Sequence, residues 1–85
     1  MIATGLYNTL IGIDVEQTSI DQVKTEFSGK TLFLNVFLNQ PRTCKEVIDE
    51  LGLERIPVDT TLYLPTCVIV KDNYIKIRFE EKPMI

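Results

Sequence analysis

The stretch Lys30-Thr31-Leu32-Phe33-Leu34-Asn35-Val36-Phe37-Leu38 decides how this chain is read. Leu32, Leu34, Val36 and Leu38 fall on one parity. Phe33 and Phe37 fall on the other, interrupted by Asn35. Successive side chains of a strand point to opposite faces, so a strand apolar on both parities is expected to be covered on both sides. Residues 30–38 are therefore expected to form the central strand of a sheet, with the other elements covering it or pairing with it.

Toward the C-terminus, Asn39-Gln40-Pro41 stops that strand, because proline has no N–H to give a ladder. Thr43 then caps a helix, with Glu46 in the reciprocal position of a capping box. Cys44, Val47, Ile48 and Leu51 make its apolar face, while Glu46, Asp49 and Glu50 face outward. Gly52 suits the left-handed position after the helix, and Leu53 supplies the apolar contact that accompanies it. After Pro57, residues 60–64 read as a short strand ended or bent by Pro65. Two alternating runs then flank Asp72-Asn73, a hairpin signature. The implied register pairs Val70 with Ile75 and Val68 with Ile77. It places those four and Phe79 on a core face, with Cys67, Ile69, Lys71, Tyr74, Lys76 and Arg78 on the other.

Toward the N-terminus, Ser19 with Gln22 reads as a second capping box. Ile20, Val23 and Phe27 fall at helical spacing, and Gly29 closes a helix over residues 19–27. Ile11, Ile13 and Val15 alternate with Gly12, Asp14 and Glu16, the pattern of a half-buried strand over residues 10–16. A competing short helix over residues 6–11, closed by Gly12, is left open. About a dozen residues separate the first strand from Lys30, enough for a βαβ crossover. The expected fold is thus one α+β domain, residues 1–85, in the order βαβαβββ. It has a mixed four- or five-stranded sheet and two short helices packed mainly on one face.

Composition restricts the chemistry. Eighty-five residues make one domain, and a chain this short buries only about 60–65% of its unfolded surface. Hydrophobic residues are 45%, ordinary for a globular domain. There is no histidine, so the usual general base and metal ligand are missing; the two cysteines match no zinc spacing. No cofactor, metal or catalytic residue is assigned. No signal-peptide pattern or bilayer-length apolar run is present, so free thiols in a reducing cytoplasm and no membrane association are expected. The net charge of −3 is unevenly spread: −1 over residues 1–43, −3 over residues 44–59 and +1 over residues 60–85.

Cys44 is the candidate nucleophile, since a first-turn thiol feels the helix dipole and Arg42 and Lys45 are near in sequence. A strand, a loop and a cysteine opening a helix, with Leu64-Pro65-Thr66 leading into a hairpin, resembles the active-site arrangement of thioredoxin-like proteins. The resemblance implies a thiol-dependent redox module using Cys44, although Val47 stands where the resolving cysteine belongs. The run from Thr43 through Leu53 into two closing strands is similar to ubiquitin-like (β-grasp) sulfur carriers, which implies a β-grasp-like variant of the fold. The chain ends Lys-Pro-Met-Ile, without the Gly-Gly that carries the sulfur in those proteins.

The leading expectation is non-enzymatic: a small protein-protein interaction module that binds another protein or itself as a homo-oligomer. Its expected contacts are the acidic helix (Glu46, Asp49, Glu50) and any sheet face left open around Phe33 and Phe37. Accessory and inhibitor proteins of viruses and mobile elements are often built this way, an analogy that fold and size alone do not turn into function. A structural subunit of a larger assembly is the third expectation. Lys71, Lys76, Arg78 and Lys82 on the hairpin are too few for phosphate neutralisation, so no nucleic-acid partner is expected; as edge cations they discourage strand-to-strand aggregation.

Overall fold

The computed structural model describes residues 20–84. The expected strand over residues 10–16 and its competing helix lie outside them. Strand β1 (Ile20–Ser28), strand β2 (Thr31–Leu38), helix α1 (Cys44–Leu51), strand β3 (Ile56–Val58), strand β4 (Thr61–Lys71) and strand β5 (Tyr74–Pro83) follow in order. The strands form one curled sheet, β1-β2-β5-β4-β3, in which every neighbouring pair is antiparallel. The expected mixed sheet with two helices is therefore wrong, and the β-grasp variant and βαβ crossover fall with it. Among the described residues the molecule is mostly strand, with one short helix.

The largest correction is at residues 19–27. Residues 20–28 form β1, not a helix, and run back along β2 with Phe27 opposite Leu32 and Val23 opposite Val36. A register shift between Ile20 and Gln22 inserts one extra residue, so Ile20 still reaches Leu38. That bulge generates the three-residue spacing from Ile20 to Val23 that mimics a helical turn. Gly29 does not stop a helix. It is instead the first residue of the two-residue loop joining Ser28 to Thr31, at φ +63°. Glycine in that position suits a type II′ hairpin.

β2 lies inside the sheet but not at its centre; the middle strand is β5. Leu32, Leu34, Val36 and Leu38 are buried, and across the ladder they meet Ile75, Ile77 and Phe79, also buried. Each such aliphatic side chain removed from water contributes about 1.5–3 kcal/mol. The opposite parity does not match the expectation of burial on both faces. Phe33 and Phe37 are only half-buried.

Helix α1 forms as expected and closes the core. Thr43 and Glu46 complete the capping box, Gly52 takes the left-handed conformation at φ +68°, and the Leu53 N–H donates to the Ile48 carbonyl at 2.9 Å. Val47, Leu51 and Leu53 join the single core cluster with Leu34, Ile56, Tyr63 and Ile77. Cys44 and Cys67 are joined by a disulfide with Cα atoms 6.3 Å apart, correcting the expectation of free thiols. It fastens the first residue of α1 to β4.

The Asp72-Asn73 hairpin is present, with Val70 opposite Ile75, but a bulge lies between Cys67 and Ile69. Cys67 rather than Val68 therefore faces Ile77 and packs against the core, and Val68 and Val70 are exposed. Pro65 neither ends nor bends β4 out of the sheet. Beyond Tyr63, β4 has a neighbour on one side only among the described residues, where a residue without an N–H is tolerated. Asp59, at φ +55°, makes the tight loop between β3 and β4.

Candidate binding face

The face of the sheet opposite α1 is set by the register. Three rows cross it: Gln22, Phe37, Tyr74 and Lys71; then Lys24, Asn35, Lys76 and Ile69; then Glu26, Phe33, Arg78 and Thr66. The rows bring together residues the sequence placed apart. Phe33 and Phe37 were expected under cover, and Lys24 and Glu26 on a helix. The sequence signal that would have joined them is the Ser28-Gly29-Lys30 turn, which forces Lys24 beside Asn35.

The face is organised around Asn35, a buried polar residue. Its Nδ2 donates to Glu26 Oε1 at 3.1 Å, and its Oδ1 accepts from the Tyr74 hydroxyl. Buried amides persist when both ends are satisfied, as here. Lys76 Nζ sits 3.4 Å from Glu26 and 4.7 Å from the Phe33 ring centroid. Phe37 and Tyr74 rings lie 5.2 Å apart, and Lys24 Nζ is 6.0 Å from the Phe37 centroid. Rings and cations thus alternate across the surface at cation–π separations. The Asn35 amide, then Lys76, holds the Glu26 carboxyl below the usual carboxylate range. Four cations (Lys24, Lys71, Lys76, Arg78) stand against two carboxylates (Glu26, and Glu80 next along β5), a surplus of two positive charges on an acidic protein.

The acidic helix is differently disposed. Glu46 is engaged by the Thr43 N–H and hydroxyl, Asp49 by Lys45 at 3.0 Å, and Glu50 by Arg42. Each carboxylate of that expected docking patch already has a local partner. Cys44, the expected nucleophile, is held in the disulfide, so in this state it is no thiolate.

A shallow cleft of about 330 Å³ is lined by buried Leu32, Tyr63 and Phe79 and by charged Lys30, Arg78 and Glu81. Burial, then Glu81 and Asp59, pushes the Tyr63 phenol up, so it stays neutral at physiological pH. Among the described residues no cluster of three or more Cys, Asp or Glu side chains could hold a metal ion. No helix among them is long and apolar enough to cross a membrane. No protein-family model, curated protein or solved structure matches this chain.

Proposed function

We propose that this protein is a non-enzymatic binding module whose working surface is the sheet face bearing Phe33, Phe37, Tyr74, Lys24 and Lys76. The observation that carries this reading is the ring-and-cation surface on the side away from α1, half-buried by its own neighbours. Aromatic side chains clustered on an open face are enriched in contact surfaces. Affinity capture from the source cells, with the wild type and Lys24→Glu/Phe37→Ala as parallel baits, tests it. A component retained by the wild type and lost by the variant supports the reading, and identical captures overturn it.

A separate observation favours self-association as a second reading. Among the described residues no strand pairs with the outer edge of β4 beyond Tyr63, and Val68, Ile69 and Val70 are 41%, 37% and 54% exposed there. Open apolar edges pair with other chains. Sedimentation across a concentration series, with Val70→Lys as control, separates a dimer from a monomer. The disulfide weighs against the reducing cytoplasm expected from composition, since thiol pools there keep such bonds open. It also weighs against Cys44 as a resting redox nucleophile.

A further inference from the structure

We infer that the ligand of the Phe33–Phe37–Tyr74 face is single-stranded nucleic acid; this rests on the reading of that face as the working surface and names its partner. Bases need flat apolar platforms, and the phosphates between them need cations spaced among those platforms. The face supplies both in one pattern. Phe37 and Tyr74 form a tilted pair at 5.2 Å in one row, and Phe33 lies two rows away. Four residues of extended β2 separate Phe33 from Phe37 by about 13 Å. Three sheet-borne rings stack two or three bases in known single-strand platforms. Lys24 and Lys76 occupy the row between the rings, while Arg78 and Lys71 flank Phe33 and Tyr74 on the neighbouring strands.

The alternative macromolecule is an acidic peptide, and one feature favours nucleic acid over it. β2 and β5, which carry the rings, have strands on both sides, so among the described residues a peptide extending the sheet would pair at β1 or at β4 beyond Tyr63, away from the rings. Three of the chain's acids lie on the far side of the sheet. Glu46, Asp49 and Glu50 sit on α1, whose apolar residues pack into the core on the face opposite the rings. In the three rows the one carboxylate is Glu26, and Lys76 is paired with it. A phosphate taking Lys76 would compete with Glu26, so this acid acts as a restraint on affinity.

The test is fluorescence anisotropy of a labelled oligothymidylate about 15 nucleotides long, within the site range of single-strand platforms. Wild type, Phe37→Ala, Lys24→Gln and Glu26→Gln are titrated at low salt and along a salt series, with a duplex of equal length as competitor. Four cations at about 0.7 counterion each predict that log K falls with log salt at a slope of about −3. Phe37→Ala should weaken binding roughly 5- to 100-fold, the range of losing one stacked base. Lys24→Gln should make the slope shallower by about 0.7, and Glu26→Gln should tighten binding. Circular dichroism of each variant shows whether it is folded; Lys24→Gln, at an exposed position, keeps the test decisive should Phe37→Ala lose structure.

Absence of binding at about 100 µM protein, the weak end of non-specific affinities, overturns the proposal. So does equal binding of duplex with no effect of Phe37→Ala, which would be charge attraction alone. If the oligonucleotide is ignored while Lys24→Glu/Phe37→Ala still loses a captured protein, the face is a protein interface: the ligand assignment fails and the binding reading survives. If neither responds, both fail.

Discussion

Removing the Cys44–Cys67 bond should cost this domain a large part of its stability. The bond closes a loop across a sequence separation of 23. In the chain-entropy account, opening a loop of that size returns about 11 cal/mol/K to the unfolded chain, or about 3 kcal/mol at 25 °C. A domain of this length is expected to have roughly 4–13 kcal/mol in all. The loss would lower the thermal midpoint by about 10–25 °C. The fold should nevertheless survive at low temperature, because Val47, Leu51 and Leu53 hold α1 to the core without the bond. The double variant Cys44→Ala/Cys67→Ala avoids an unmatched thiol. Urea unfolding followed by far-ultraviolet circular dichroism compares it with the oxidised wild type, and wild type in reductant should coincide with the variant. A difference below about 1 kcal/mol would refute the loop-closure reasoning. It would mean that the bond only decorates a helix already fixed by packing.

Other outcomes follow from the same structure. Leu34→Ala, at a fully buried position in β2, should destabilise by about 3 kcal/mol in urea, and a loss under 1 would show that the site is not core. Gly29→Val should cost about 1–2 kcal/mol from its positive φ alone, since a Cβ there meets no atom within 4 Å; an unchanged midpoint would place the turn elsewhere. Tyr74→Phe leaves the Asn35 carbonyl oxygen without its hydroxyl donor and should cost about 1 kcal/mol, again read in urea. Acid should also destabilise the protein. Asn35 and Lys76 lower the Glu26 pKa, and the Thr43 backbone N–H and hydroxyl lower that of Glu46. A carboxyl depressed in the fold contributes stability above its unfolded pKa and loses it as pH falls through the folded one. The thermal midpoint should therefore fall from near pH 4.5 downward, and Glu26→Gln should fall less steeply; a flat profile to pH 3 would contradict this.

The parts of the fold legible in sequence are those fixed by neighbours. Thr43, Glu46 and Gly52 specify α1 within ten residues of one another, and Asp72-Asn73 joins two strands whose residues are adjacent in the chain. What was misread depended on irregularity. One extra residue near Asp21 gave β1 a helical spacing, and one at Val68 turned Cys67 inward and left Val68 and Val70 in water. The disulfide follows from that second bulge together with the placement of α1, neither of which is local. Phe33 and Phe37 read as covered residues or as part of an open contact face, and they lie half-buried on the face opposite α1. They are sheltered by Tyr74, Lys76 and Lys24 on their own face, not by a second layer. Aromatic rings lying against cross-strand neighbours make a one-sided strand look apolar on both parities. The acidic helix was the other expected contact, and its charges proved to be engaged in capping and local pairs.

Two substitutions at adjacent positions of β2 probe the asymmetry of that strand more directly than any other measurement. Phe33→Asp and Leu34→Asp place the same charge on opposite faces of one backbone. Urea unfolding should show Phe33→Asp folded, with a loss of no more than about 2 kcal/mol from its half-buried ring, and Leu34→Asp without a cooperative transition. Unfolding of Phe33→Asp, or tolerance of Leu34→Asp, would contradict a sheet that buries one side and leaves the other half-exposed.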